Sequence, residues 1–107
     1  MKKEYVIVYT TTGNNDEARK IAETLVNENL AACVQMSPVT SVYRWGGNVL
    51  KDKEILLAAK TVKSRYKKVE GKIKELHTYE CPEIVAVPII SGSKAYLNWI
   101  NENTRNR

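Results

Sequence analysis

A long apolar hairpin near the middle of the chain constrains the fold more than any other feature. Residues 39–45 and 49–61 read as strands on either side of Gly46-Gly47-Asn48, a sequence typical of a tight turn. Residues 31–36 extend the first strand, with a bulge or bend expected at Pro38. Strands of about 13–15 residues exceed the usual length of five or six and would project beyond a small domain.

A projecting hairpin leaves apolar side chains and strand edges uncovered. Tyr43, Trp45 and Val49 lie on its predicted outer part. Exposed flat strands of this kind promote aggregation unless they pair with another chain. In a closed ring of identical subunits, each exposed strand edge can pair with a strand of the neighbouring subunit. The sequence therefore predicts a homo-oligomer that pairs through its long hairpin strands.

The remaining segments alternate between strand and helix patterns. A buried strand is predicted over 4–12, followed by a helix that is capped by Asn14 or Asn15 and ends near Asn29. The two hairpin strands come next, and then a helix capped by Ser64. The chain continues with a buried strand over 83–90, a short terminal helix within 91–100 and a frayed tail. The order β-α-β-β-α-β plus a C-terminal helix predicts an α+β fold of the ferredoxin-like split βαβ type. The 107 residues suit a single domain over 1–107.

Composition and charge exclude several classes. No apolar run approaches the roughly 20 residues that span a bilayer. The apolar run at 5–9 is too short for a secretory signal, so a cytoplasmic protein without a membrane partner is expected. The net charge is +5, but the lysines are spread out, and their densest cluster, on the second predicted helix, is typical of a solvated face. The chain has no Phe and no RNA-recognition motif. No nucleic-acid partner is expected.

Titratable side chains concentrate in ELHTYECPEIVAVPI, residues 75–89. His77, Glu80 and Cys81 offer an imidazole, a carboxylate and a thiol, which suit copper or zinc. The alternative is structural, with His77 at a helix C-terminus and Glu80 and Glu83 in solvent. Catalysis is not expected, because Cys81 precedes a proline and no partner set for a nucleophile is recognisable.

Aromatic residues and one lysine offer a second candidate site. Tyr43 and Trp45, like Tyr96 and Trp99, suit either core and subunit packing or a pocket at a subunit boundary. Lys60 follows an apolar run, where it either extends into solvent or pairs with a carboxylate such as Glu80 or Glu83.

Five blocks of the chain, in the same order, resemble the CutA family of divalent-cation-tolerance proteins. They are VIVYTTT, NLAACVQM, SVYRWGGNVLKDKEILLAAKT, LHTYECPEIVAVPI and GSKAYLNWI. The resemblance covers almost the whole chain and places Cys33 on the family's cysteine. It also departs from copper-binding members, since Tyr9 replaces a cysteine, Leu76-His77 replaces a histidine pair and Thr78 replaces a proline.

The resemblance implies a function as well as a fold. It implies a PII-like homotrimer, a role in tolerance to divalent cations, copper above all, and a cleft between subunits. The expected cofactor is copper(II) or another divalent cation, bound weakly by His77, Glu80 and Cys81. Further residues expected to line the cleft are Lys60, Tyr79, Glu83, Cys33, Tyr43 and Trp45. Alternatives are a trimeric sensor that binds a small anion against Lys60, and a trimeric scaffold for partner proteins.

Overall fold

The computed structural model describes residues 3–105, which form one four-stranded antiparallel sheet and three helices. The elements are β1 (Tyr5–Thr12), α1 (Asn15–Asn27), β2 (Cys33–Trp45), β3 (Asn48–Val62), a 3-10 turn (Lys63–Arg65), α2 (Tyr66–Leu76), β4 (Val85–Pro88) and α3 (Lys94–Glu102). The strand order β2-β3-β1-β4 is that of the split βαβ arrangement. The predicted fold class is therefore confirmed at the level of a single chain.

One face of the sheet and two helices enclose the main core. Val8 of β1 and its neighbour Ala59 of β3 are buried on this face. Ile21 of α1 and Ile73 of α2 pack in the same cluster, as the apolar stripes of the two helices predict. The opposite face is covered only near one end, where Ile100 of α3 is buried. β1 is therefore buried on one face and half-buried on the other, rather than buried on both.

The hairpin has the predicted length, with strands of 13 and 15 residues, and is more regular than its sequence indicates. β2 and β3 pair without interruption from Cys33 opposite Lys60 to Trp45 opposite Asn48. The expected bulge at Pro38 is absent. Because β2 lies at the edge of the sheet, a proline in it can lack its N–H without breaking a hydrogen bond between strands. Gly46 and Gly47 have φ values of 59° and 81°, as the favoured two-residue hairpin turn requires.

Several predicted boundaries and caps need correction. Asn14 caps α1 by accepting a hydrogen bond from the Glu17 N–H at 2.8 Å, as predicted. Ser64 does not cap α2, because it lies inside the 3-10 turn and no side chain caps that helix. β4 is half the predicted length and exposed in the single chain, since it is an edge strand. The tail is better packed than predicted, because Thr104 is buried.

Candidate functional site

A cavity of about 740 Å³ opens between the hairpin and the loop of residues 77–83 that follows α2. It is lined by Thr11, Ser41, Val42, Tyr43, Trp45, Asp52, Glu54, Thr78, Tyr79, Glu80, Cys81 and Glu83. Four of these twelve side chains are carboxylates and none is a lysine or arginine, although the chain has a net charge of +5. This acidic cavity therefore favours cations over anions.

Tyr79 and Glu54 form the floor of the acidic cavity. The Tyr79 hydroxyl donates a hydrogen bond of 2.7 Å to Glu54 Oε2, and Glu54 is only 8% exposed. A Cβ atom at Gly13 would lie 3.2 Å from this hydroxyl, so glycine leaves the space that the tyrosine occupies. Tyr79 is 38% exposed as a whole residue, but its hydroxyl lies against the buried Glu54. Partial burial, and next the hydrogen bond to Glu54, raise the pKa of Tyr79 above its ordinary value. Tyr79 therefore remains a hydrogen-bond donor at neutral pH.

A second tyrosine–carboxylate pair lies on the hairpin wall. The Tyr43 hydroxyl donates to Asp52 Oδ2 across the β2–β3 pair. That hydrogen bond is the main cause that raises the pKa of Tyr43. Trp45 lies further along the same wall and is half-exposed. Tyr43, Trp45, Tyr79 and Glu83, which are four of the six further residues expected to line a cleft between subunits, thus line one cavity within the single chain.

His77 lies behind this cavity and does not line it. Its side chain has no exposed surface. Nε2 donates to the Thr11 carbonyl at 2.6 Å, and Nδ1 accepts from the Tyr79 N–H at 3.1 Å. Both ring nitrogens are therefore engaged, and a metal ion could be bound only after the ring gives up one of these bonds. His77 is also the C-cap residue of α2, as the structural alternative predicts.

Glu17 holds the loop in place, a role that the sequence does not reveal. Its carboxylate accepts hydrogen bonds from the Thr78 N–H at 2.7 Å and from the Thr78 hydroxyl at 3.2 Å. It also lies 3.6 Å from Nδ1 of His77 and is 8% exposed. The sequence places Glu17 only in the first turn of a helix, where an acidic residue is common. Glu17 and Thr78 are 61 positions apart, so no local pattern in the sequence indicates the contact.

The remaining predicted metal ligands are accessible but dispersed. Glu80 and Cys81 are exposed at the mouth of the acidic cavity. Across residues 3–105, no three His, Cys, Asp or Glu side chains are close enough together to hold one metal ion. Asp52 and Glu54, which the sequence did not single out as site residues, provide two further carboxylates.

Lys60 and Cys33 lie elsewhere in the single chain. They are opposite each other in the β2–β3 register. Lys60 is six positions from Glu54 along β3, a distance of about 20 Å in a strand. The Lys60 amine donates to the Gln35 side chain and lies 5.8 Å from the centre of the Tyr96 ring. One chain therefore does not bring Lys60 to Glu80 or Glu83.

The fold and the acidic cavity define a small α+β protein with a cation-favouring site, and comparison with known proteins identifies its class. The family model described as CutA1 divalent ion tolerance protein matches residues 6–103. The chain therefore belongs to the CutA1 divalent ion tolerance family, which confirms the resemblance noted from the sequence.

Individual relatives agree with the family match. The chain is 48% identical over 99 residues to the divalent-cation tolerance protein CutA of Thermus thermophilus, covering 92% of this chain and 96% of that protein. It is 41% identical to the chloroplastic protein CutA of Arabidopsis thaliana, covering 94% of this chain but only 56% of the plant protein.

Solved structures agree as well. The structure of the divalent cation tolerance protein from Thermus thermophilus gives a TM-score of 0.91 at 46% identity, covering 94% of this chain and 99% of that one. A structure from Archaeoglobus fulgidus, described as a periplasmic divalent cation tolerance protein CutA, gives a TM-score of 0.93 at 34% identity. The match covers 94% of this chain and 99% of that one.

Proposed function

We propose that this protein contributes to divalent-cation tolerance by binding a divalent cation, copper(II) above all, weakly at the acidic cavity. The observation that carries the proposal is the lining of the cavity, which combines four carboxylates and a thiol with no basic side chain. Carboxylate oxygen suits divalent cations in general, and a thiolate favours copper over harder ions. The relatives are named for cation tolerance and not for a reaction, which supports a binding role over catalysis.

Glu80 and Cys81 are the proposed principal ligands because both are exposed at the mouth of the cavity. His77 is proposed as a third ligand, which requires that its ring give up the hydrogen bond from the Tyr79 N–H. While that hydrogen bond is present, His77 positions the loop. The wide spacing of these donors in one chain agrees with weak binding.

We also propose that the working unit is a homotrimer in which a neighbouring subunit closes the acidic cavity. The exposed apolar side chains of the hairpin and of β4 support this assembly. Ligands from a second chain would complete a set that one chain leaves incomplete. A location in the cytoplasm stays a prediction. In residues 3–105 no helix combines the length and the apolar character needed to cross a membrane.

A sensor that holds a small anion against Lys60 receives less support. The acidic cavity repels anions, and the Lys60 amine already contacts Gln35 and Tyr96. The anion would have to bind on the open sheet face beside α3, away from the acidic cavity.

Titration of the purified protein with copper(II), followed by native mass spectrometry, tests the metal proposal. Glu80→Gln and Cys81→Ser should each weaken binding about tenfold or more, since each removes a proposed ligand. Glu23→Gln is the matched control, because it removes the same charge from an exposed position of α1. Equal affinity in Glu80→Gln, Cys81→Ser and the control would contradict the proposed ligands. Absence of copper binding by the unaltered protein would contradict the metal function itself.

A further inference from the structure

A second concave site lies on the helical side of the molecule, away from the acidic cavity. It is a groove of about 390 Å³ between residues 28–30 after α1, the outer side of α2, and Arg105 beyond the C-terminal end of α3. Its charged lining residues are Arg65, Lys68, Lys72, Arg105, Glu28 and Glu75. Four cations therefore face two carboxylates, and no lining residue is shared with the acidic cavity. We call this site the basic groove.

Two of the four cations are already matched by carboxylates. The Lys72 amine lies 3.4 Å from Glu28 and 3.5 Å from Glu75, which accounts for both acidic residues of the groove. Arg105 lies 3.3 Å from Glu102, outside the lining, in an exposed pair of the kind that contributes little stability. The uncompensated charge of the basic groove therefore belongs to Arg65 and Lys68.

One nitrogen of the Arg65 guanidinium is fixed by a hydrogen bond, and its two terminal nitrogens can donate to a ligand. Its Nε donates to the Thr104 carbonyl at 2.9 Å, and Thr104 is 3% exposed, with its own hydroxyl bonded to the Ile100 carbonyl. Among residues 3–105, neither the terminal nitrogens of Arg65 nor the Lys68 amine has a hydrogen-bond or ion-pair partner. A guanidinium held by one nitrogen presents the other two as a fork that matches phosphate or carboxylate oxygens.

The surrounding charge adds to the local positive potential. The segment from the 3-10 turn into the first turn of α2 contains Arg65, Lys67 and Lys68 and no acidic residue. Its fourth cation, Lys63, lies 3.6 Å from Glu4 and is matched by that carboxylate. A phosphate-bearing ligand would offset this repulsion between cations. The groove volume falls near the lower end of the range for ligand pockets, about 300–1,000 Å³, which suits a small ligand.

We propose that the basic groove binds a small anion carrying phosphate groups, with Arg65 as the bidentate donor and Lys68 as the second contact. The inference is independent of the metal proposal, because the two sites lie on different elements. Inorganic pyrophosphate is the probe, titrated into the full chain in metal-free buffer at two ionic strengths.

Lys68→Gln should weaken pyrophosphate binding about tenfold or more, since a hydrogen bond to a charged group is lost. Lys67→Gln is the matched control, because it removes the same charge one residue away, at an exposed position outside the groove. It should change the affinity for pyrophosphate less than about twofold. Arg65→Lys retains the charge without the fork and should also weaken binding.

Two outcomes would overturn the proposal. One is a lack of pyrophosphate binding even at low ionic strength. The other is an equal loss in Lys68→Gln and Lys67→Gln, which would show attraction to net charge rather than a site. Because Lys68 is exposed and has no partner within the described chain, its replacement tests the groove even if the Arg65 variant folds poorly.

Discussion

Glu54 determines how the floor of the acidic cavity is built. It is a buried carboxylate, and the Tyr79 hydroxyl is its hydrogen-bond donor. A buried charge without a donor is costly, so the pair both stabilises the fold and fixes the tyrosine over the cavity. The exposed pair of Tyr43 and Asp52 has the same chemistry but remains in contact with water.

Tyr79→Phe should therefore destabilise the protein by about 1–3 kcal/mol, because Glu54 loses its donor while remaining buried. Tyr43→Phe removes the same hydroxyl from an exposed pair and should change the stability much less than Tyr79→Phe does. Urea unfolding at matched chain concentration measures both. Similar losses in the two variants would contradict the role given to Glu54.

The raised pKa of Tyr79 also predicts a dependence on alkaline pH. Above its ordinary value of 10.0, the unfolded tyrosine releases its proton while the folded one retains it. The folded state then binds more protons than the unfolded state, so its stability falls as pH rises. The stability advantage of the unaltered protein over Tyr79→Phe should shrink between pH 9 and about pH 11. A constant difference in unfolding free energy would contradict the raised pKa.

Single residues also show where prediction from sequence ends. The short-range cap at Asn14 could be predicted, because donor and acceptor lie three residues apart. The acceptor of His77 Nε2 is the Thr11 carbonyl, 66 residues away, and no local pattern encodes that contact. The sequence thus indicated a loop that lines the acidic cavity, but not the buried state of its histidine.

At the scale of elements, the loop of residues 77–83 depends on α1. Glu17 ties the first turn of α1 to Thr78 through both the N–H and the hydroxyl of that threonine. The resemblance places a proline at position 78 in other members, and a proline has neither donor. In this chain the Glu17–Thr78 contact restrains the loop in place of a proline ring.

Glu17→Ala should cost about 1–3 kcal/mol more than Asp16→Ala. Both variants remove an acidic residue from the first turn of α1, so the loss of helix-dipole stabilisation is shared. Only Glu17 contacts the loop, whereas Asp16 pairs with the exposed Arg19. Chemical unfolding, with hydrogen exchange at the Thr78 amide, provides the two measurements. Unchanged exchange at Thr78 in Glu17→Ala would contradict the contact.

The helices were predicted more accurately than the edge strand β4. The apolar stripes of α1 and α2 face a sheet, and each stripe repeats over enough residues to be recognised. β4 was predicted at twice its length, because residues 83–90 alternate too little to show where pairing ends. The pairing of β4 with β1 is set by the whole sheet, which a local pattern does not contain.

At the scale of the whole molecule, the uncovered sheet face is the clearest sign of assembly. Val87 of β4 lies opposite Ile7 of β1, and Val85 lies opposite Tyr9. Val85 and Val87 are exposed in the single chain, and α3 covers only the end of the face near Val62. Apolar side chains at adjacent positions of one face form a patch that favours contact with another copy.

The proposed trimer predicts a mass of three chains of 12.1 kDa each, and Val87→Lys should abolish it. In the single chain Val87 is 39% exposed, so a lysine there should cost the fold little. In a trimer packed on this face, the same lysine would bring an unpaired charge into an apolar contact. Val26→Lys is the matched control, because Val26 is 40% exposed on α1, on the other side of the sheet.

Sedimentation equilibrium of the three proteins measures the outcome directly. The unaltered chain and Val26→Lys should both sediment as trimers, whereas Val87→Lys should sediment as a smaller species. A trimer that survives Val87→Lys would show that assembly uses another surface. In that case the hairpin edges, rather than the open sheet face, would have to hold the subunits together, because the pairing of β2 leaves its outer edge free within the described chain.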